Sequence, residues 1–141
     1  MKEMVGNIWN YYNAGGISIC ITTNGVVNQF HKNIMGAGIA LEAKRNLPGF
    51  DRKLGELILN GGNQVYEVFP NVFSFPTKYK WWDKSDLNLI IQSCKQLMKL
   101  CNTSDILLPR PGCNNGGLDW NIVKLAIEPY LDDRVVIITK E

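Results

Sequence analysis

Two stretches of the chain place glycines and other small residues directly before a helical pattern. The first, "NIMGAGIALEAKRNLPGF" over residues 33–50, has Gly36 and Gly38 in front of apolar residues at helical spacing. The second, "LPRPGCNNGGLDW" over residues 108–120, repeats the arrangement. The first N–H groups of a helix are unpaired and lie at the positive end of its dipole, so a helix start without side chains favours a phosphate or another anion.

A purely structural role for the first loop stays open, because glycines also allow a helix to pack tightly on a strand. The spacing fits neither the dinucleotide-binding nor the P-loop pattern. Two such loops at strand ends nevertheless predict a cleft that holds two adjoining phosphates by backbone amides, without a metal. The four cysteines form no CxxC pair and His31 is the single histidine, so zinc is not expected and the thiols are expected to be free.

The elements that would position these loops follow from hydrophobic periodicity. They are a strand over residues 16–23, a helix over 38–47, a strand pair "QVYEVFP" and "VFSFPT" around Pro70-Asn71, a helix over 85–100 capped by Asp83 or Ser85, a strand "DILLP", a helix over 118–131 and a strand "RVVIIT". This order predicts an α/β fold with a mixed sheet between helices on both faces. Ligands bind beyond the carboxyl ends of the strands in such folds.

The length and net charge of the chain limit the classes of function that it could have. A chain of 141 residues fits one domain over 1–141, and its net charge of +2 is too small for a protein that coats nucleic acid. No apolar run approaches the roughly 20 residues that a membrane span needs, and the N-terminus does not read as a signal peptide. We therefore expect a cytoplasmic monomer with no membrane partner.

Three motifs together resemble the macrodomain, the ADP-ribose-binding module. They are "MGAGIA" after a strand, "SFPTK" on a later strand and "PGCNNGGLDW" near the end, and the likeness runs from about Val5 to Thr139. It is nearest to the branch of terminal ADP-ribose glycohydrolases and of antitoxin macrodomains that remove ADP-ribose from DNA. The resemblance implies a three-layer α/β/α sandwich around a central mixed sheet of about six strands.

The resemblance also implies where ADP-ribose would bind. Asn7 stands where the family usually has an adenine-binding Asp, although it could also be a turn residue, and Asn24 stands near the distal ribose, with its register against Asn28 open. The candidate ligand-binding residues are Asn7, Ile8, Asn24, Met35, Gly36, Ala37, Gly38, Ile39, Pro111, Gly112, Cys113, Asn114, Asn115, Gly116, Gly117 and Leu118.

Lys78, the last residue of "FPTK", matches the lysine of relatives that hydrolyse ADP-ribosyl bonds. Its neutral amine would attack C1″ of the distal ribose or the ring-opened aldehyde. Neighbouring cations such as Lys80, Lys84 and Arg110 could lower its pKa. A solvated lysine is the alternative. Some relatives carry an acidic residue in the second glycine loop, whereas "CNNGG" has none and Asp119 fits a first-turn helix residue better.

These features predict a protein that binds ADP-ribose and hydrolyses the bond at C1″, needing no cofactor. The reaction would release ADP-ribose from a modified macromolecule, nucleic acid included, or phosphate from ADP-ribose 1″-phosphate. A reader that binds ADP-ribose without turnover is the alternative. A cysteine nucleophile formed by Cys113 and His31 is a poorer candidate. "KYKWWDK" could contact nucleic acid or could simply form a cleft rim.

Overall fold

A computed structural model describes residues 1–140. The strands are β1 (Lys2–Val5), β2 (Ile17–Thr23), β3 (Tyr66–Phe69), β4 (Val72–Pro76), β5 (Asp105–Pro109) and β6 (Val135–Thr139). The α-helices are α1 (Gly38–Asn46), α2 (Phe50–Gly61), α3 (Leu87–Leu100) and α4 (Trp120–Ile127), and short 3-10 helices span Ile8–Tyr11 and Glu128–Tyr130. No helix within these residues combines the length and apolarity needed to cross a bilayer.

The strands form one six-stranded mixed sheet in the order β1-β6-β5-β2-β4-β3. All neighbours are parallel except the β3–β4 hairpin. Crossovers between parallel strands place helices on the sheet faces. The carboxyl ends of β2, β5 and β6 therefore meet at one edge, where the two glycine loops begin. The predicted α/β architecture is confirmed.

The sheet has one hydrophobic core on each face. Side chains of alternate strand residues pack in different cores, because successive residues of a strand point to opposite faces of the sheet. Ile19 and Ile21 of β2 pack in the layer that contains α1 and α2, with Phe50 and Leu54 fully buried there. Cys20, between the two isoleucines, enters the layer of α3 and α4. Both faces of β2 are covered, which explains why its sequence, ISICITT, lacks the alternating exposed polar positions of a strand with one face in water.

Helix α2 and strand β1 are absent from the sequence prediction. Phe50, Leu54 and Ile58 do recur at helical spacing, but Pro48-Gly49 suggests a longer interruption than the chain makes. Gly49 caps α2 in a left-handed conformation at φ 86°, so the chain turns there and re-enters a helix at once.

Two predicted helix ends need correction. The N-cap of α3 is Asp86, whose Oδ1 accepts the Leu89 N–H at 2.9 Å, and not Asp83 or Ser85. The fourth helix is shorter than expected, running from Trp120 to Ile127 before a 3-10 turn that includes Pro129. Proline lacks the N–H that an α-helix needs, which accounts for the early end.

Candidate functional site

A cleft of about 830 Å³ opens beyond the carboxyl ends of β2, β5 and β6. Its walls are the segment after β1, the first glycine loop with the start of α1, the FPTK turn after β4 and the second glycine loop after β5. This volume lies in the range of small-molecule sites, about 300–1,000 Å³. Both glycine loops and the lysine motif thus face one space.

Most predicted site residues line this cleft. They are Ile8, Asn24, Gly36, Ala37, Gly38, Ile39, Lys78, Gly112, Cys113, Asn114, Asn115 and Gly116. The remaining predicted residues, Asn7, Met35, Pro111, Gly117 and Leu118, are not part of the lining. Met35 is instead buried in the core, and Leu118 packs against the core of the opposite layer.

Asn7 has a local structural role. It caps the 3-10 helix Ile8–Tyr11, and its Oδ1 accepts the Trp9 N–H at 3.0 Å. This bond uses one of the two acceptor positions of the amide oxygen, and the exposed Asn7 side chain keeps the other. The resemblance indicated that Asn7 stands in place of the family's Asp, but the sequence did not indicate the hydrogen bond between Asn7 and the Trp9 N–H.

The first glycine loop is held by asparagine side chains. Asn24 Nδ2 donates to the Ile34 carbonyl at 2.9 Å, and its Oδ1 accepts the Val26 N–H at 2.9 Å. The Asn33 amide donates to the carbonyls of Asn24 and Val26, each at 2.9 Å. Asn24 lines the cleft, while Asn28 accepts the Phe30 and Lys32 N–H groups and lies outside it.

The start of α1 has the features of an anion site. Its N-cap, Ala37, supplies no side-chain hydrogen bond to the first turn. A Cβ on Gly36 would meet no other atom within 4 Å, so the backbone there is open to the cleft. Gly38 has φ +55°, and a Cβ on it would lie 2.9 Å from Asn115 Nδ2 of the second loop. The two glycine loops therefore face each other at close range.

The second glycine loop is tied to the FPTK turn. Ser85 N–H donates to the Gly116 carbonyl at 3.0 Å, and a Cβ on Gly116 would clash with Ser85 Oγ and with the Gly112 carbonyl. Lys78 Nζ donates to the Asn115 carbonyl at 3.2 Å and to the Trp81 carbonyl at 3.3 Å. The lysine amine thus bridges two walls of the cleft.

Three polar atoms of cleft residues are buried without a hydrogen-bond partner. They are Thr23 Oγ1, Ser85 Oγ and Arg110 Nε. Buried polar groups are almost always paired in folded proteins, so these three atoms are candidates for pairing with water or with a bound ligand. Whether a buried atom has a partner depends on the tertiary structure. The sequence therefore did not indicate Thr23 or Ser85 as site residues, and it indicated Arg110 only as a cation.

Glu42 of α1 is the single carboxylate among the residues that line the cleft within the described chain. Its Oε1 accepts from Trp9 Nε1 at 2.8 Å, and its Oε2 pairs with Lys140 Nζ at 2.9 Å. These partners place Glu42 at the β1 and β6 side, away from the FPTK turn. The sequence prediction did not include Glu42, although it lies one turn into the helix after "MGAG".

The geometry does not favour a cysteine nucleophile. Cys113 is half-buried, and this burial raises the pKa of its thiol, which opposes formation of the reactive thiolate. His31 is exposed in the first loop and does not line the cleft. Within residues 1–140, no group of three or more His, Cys, Asp or Glu side chains is arranged to hold a metal ion.

Solved structures share this architecture. The macrodomain of Thermus aquaticus DarG is 26% identical, with a TM-score of 0.70 over 99% of this chain and 97% of that one. The chain has a macrodomain fold. The macrodomain of Mycobacterium tuberculosis DarG matches with a TM-score of 0.71 at 22% identity over 99% of both chains. A Thermosipho africanus DarTG structure in complex with ADP-ribose matches with a TM-score of 0.76 at 18% identity, over all of this chain and 42% of that one.

Curated relatives carry the name DNA ADP-ribosyl glycohydrolase. The protein from Thermus aquaticus is 30% identical over 112 residues, and the one from Mycobacterium tuberculosis is 29% identical over 104 residues. The match with the Thermus protein covers 70% of this macrodomain and 31% of the relative, so the chain spans about a third of the relatives' length. No family model matches the chain. The resemblance drawn from the three motifs is confirmed.

Proposed function

We propose that this macrodomain binds ADP-ribose in the cleft and hydrolyses the bond at C1″ of its distal ribose, releasing ADP-ribose from DNA. The observation that carries the proposal is the convergence of two glycine loops and Lys78 on one cleft. The names of the curated relatives support the reaction and the substrate.

In the proposed binding mode, the diphosphate lies between the glycine loops. The uncapped N–H groups of α1 offer donors from one side. On the other side, Ser85 Oγ is a buried donor without an acceptor, and a phosphate oxygen would satisfy it. The Arg110 guanidinium, in contrast, lies over the Trp120 ring and 3.9 Å from Glu3 Oε1.

In the proposed reaction, Lys78 Nζ attacks C1″ and the bond from C1″ to the nucleobase breaks. The base leaves with the electron pair and takes up a proton, and water then attacks C1″ to release ADP-ribose and free the amine. Two carbonyl acceptors use two of the three positions around Nζ. A neutral Lys78 could therefore keep both hydrogen bonds and still present its lone pair.

A non-catalytic reader is the second candidate, and one observation favours it. Among the cleft-lining residues of the described chain, the single carboxylate is Glu42, which is bound to Trp9 and Lys140. No lining carboxylate is thus free to protonate the leaving base or to activate water. A reader would bind ADP-ribose as tightly and release nothing.

Calorimetry and turnover assays separate these candidates. Titration with ADP-ribose in the presence of EDTA is expected to give heat and saturation, and ligand at 100 times Kd should add about 2.7 kcal/mol to the free energy of unfolding. ADP-ribose release is then measured on ADP-ribosylated single-stranded DNA, ADP-ribosylated protein and ADP-ribose 1″-phosphate. The absence of both heat and thermal stabilisation at millimolar ADP-ribose would refute binding. Binding without ADP-ribose release from any of the three substrates would favour the reader.

Replacing Ser85 with alanine tests the role of the orphaned hydroxyl. We expect Ser85→Ala to weaken ADP-ribose binding about tenfold, because a hydrogen bond to a charged group contributes about 1.5–3 kcal/mol. The same change should raise the free energy of unfolding by about 1 kcal/mol in the ligand-free protein, since it removes a buried group without a partner. Isothermal calorimetry and urea denaturation measure the two effects.

Ser93→Ala is the matched control. Ser93 is also buried, but its Oγ donates to the Pro76 carbonyl at 2.7 Å. Its removal should lower the free energy of unfolding and leave the ADP-ribose Kd unchanged. The same Kd in Ser85→Ala and the wild type would contradict a ligand contact for Ser85.

A further inference from the structure

An exposed group of aromatic and basic residues follows the FPTK turn. Tyr79, Trp81 and Trp82 are 55%, 52% and 58% exposed, which is unusual for side chains of this size. Lys80 and Lys84 are interleaved with them and are also exposed. We call Lys80, Trp81, Trp82 and Lys84 the aromatic rim. Within the rim, Trp81 lines the cleft, so this surface is continuous with the proposed ADP-ribose site.

The rim has an ordered backbone beneath its exposed side chains. The Tyr79 carbonyl accepts the Gly25 N–H at 3.0 Å, and the Asp83 N–H donates to the Lys80 carbonyl at 3.1 Å. The Trp81 carbonyl accepts the Lys78 Nζ bond at 3.3 Å. The backbone of Trp81 is thus held close to the amine proposed to react.

The two indoles form an edge-to-face pair, with ring centroids 5.2 Å apart and planes at 85°. An edge-to-face pair leaves at least one flat face uncovered. Lys80 Nζ lies over the Trp82 ring, 5.6 Å from its centroid, so a positive charge faces one side of that ring. A flat π-face next to a cation is the combination that binds single-stranded nucleic acid, where bases stack and phosphates meet the charge.

Charge also favours a polyanion at this surface. None of the ion pairs found within residues 1–140 involves Lys78, Lys80 or Lys84. The segment 78–84 holds these three lysines and one acidic residue, Asp83. The whole chain therefore has a small net charge, while the segment 78–84 beside the cleft carries a local excess of positive charge.

We propose that the aromatic rim is a stacking platform for the nucleotides that flank the ADP-ribosylated base in single-stranded DNA. This inference rests on the proposed function, because it assigns the cleft to the ADP-ribosyl group and the rim to the attached strand. Stacking is tolerant of sequence, since every base has a π-face. The rim therefore selects single-stranded nucleic acid over protein without selecting a base sequence.

Fluorescence anisotropy with a labelled, unmodified single-stranded oligonucleotide of about ten nucleotides tests the platform without depending on turnover. Trp82→Ala is expected to weaken oligonucleotide binding at least about fivefold, and Trp82→Phe should restore much of it. Because Trp82 is not among the residues that line the cleft, its removal should leave the calorimetric ADP-ribose Kd within about twofold of the wild type. Lys80→Gln should reduce the salt dependence of oligonucleotide binding.

Tyr130→Ala is the matched control. Tyr130 is also an exposed aromatic residue next to a lysine, with Lys95 Nζ 4.9 Å from the ring centroid, but it does not line the cleft. An equal loss in Tyr130→Ala, or no loss in Trp82→Ala, would overturn the platform. A wild type that binds the oligonucleotide through Trp82 but does not bind ADP-ribose would refute the proposed function and leave the platform standing.

The substrate panel gives a second readout in a protein that turns over. Trp81→Ala and Trp82→Ala should raise KM for ADP-ribosylated single-stranded DNA at least about fivefold and have less effect on ADP-ribosylated protein and ADP-ribose 1″-phosphate. An equal increase in KM for ADP-ribosylated protein would mean that the rim contacts any attached macromolecule. That result would overturn base stacking.

Discussion

Lys78→Ala is expected to lower the rate of ADP-ribose release from DNA at least about 10³-fold, the scale of losing a catalytic nucleophile. The ADP-ribose Kd should change by less than about threefold, because Nζ contacts the carbonyls of Trp81 and Asn115 and these can bind water instead. Single-turnover kinetics and calorimetry on the same preparation separate the two effects.

Lys78→Arg is the control for a purely structural or electrostatic role. Arginine retains a positive charge and N–H donors for the two carbonyls, but it stays protonated and cannot act as a nucleophile. It should be as inactive as Lys78→Ala. Full turnover in either variant would reject the lysine mechanism. Reduction with cyanoborohydride during turnover should also trap an adduct on Lys78 if the ring-opened aldehyde is attacked, and peptide mass spectrometry would locate it.

Gly36→Val is expected to weaken ADP-ribose binding more than about 100-fold, equivalent to about 2.8 kcal/mol. A Cβ on Gly36 would meet no atom of the protein within 4 Å, and Gly36 is not among the residues with positive φ. The new side chain can therefore be accommodated by the fold while occupying the space in which the ligand would approach the backbone. Calorimetry measures the affinity and thermal unfolding measures the stability.

Gly15→Val is the matched control for this glycine. A Cβ on Gly15 also meets nothing within 4 Å, its φ is not positive, and it is not part of the cleft lining. It should bind ADP-ribose as the wild type does. Gly116→Val is a poor probe, because its Cβ would clash with the Gly112 carbonyl and disturb the second loop. Unchanged affinity in Gly36→Val would place the ligand elsewhere.

The sequence predicts the elements whose pattern reflects burial. Strand β2 and the β3–β4 hairpin are evident because β-branched and aromatic runs are bounded by turn residues, and Asn71 adopts the left-handed turn conformation at φ 59°. Strand β1 was not predicted because "KEMV" is polar at the sheet edge, and α2 was obscured by Pro48-Gly49. Pairing with β6 and packing on β3 form these elements, and neither is visible locally.

The sequence predicts some parts of the candidate site and not others. Glycine loops are recognisable because the absence of side chains is itself a sequence feature, and both loops line the cleft. Asn7 was expected to contact the ligand, and the structure adds that its oxygen accepts the Trp9 N–H, a bond that the sequence does not reveal. Ser85 and Glu42 became candidates only when burial, distance and partners were known, since their neighbours come from distant parts of the chain.

The asparagine bonds of the first glycine loop have a consequence for how the protein responds to acidity. Asn24 and Asn33 hold this loop through uncharged amide and carbonyl groups. Carboxamides neither gain nor lose a proton in the range where carboxylates and histidine titrate. These bonds therefore persist from mildly acidic to mildly alkaline solution, so the part of the cleft wall that they support does not change its geometry through their own protonation.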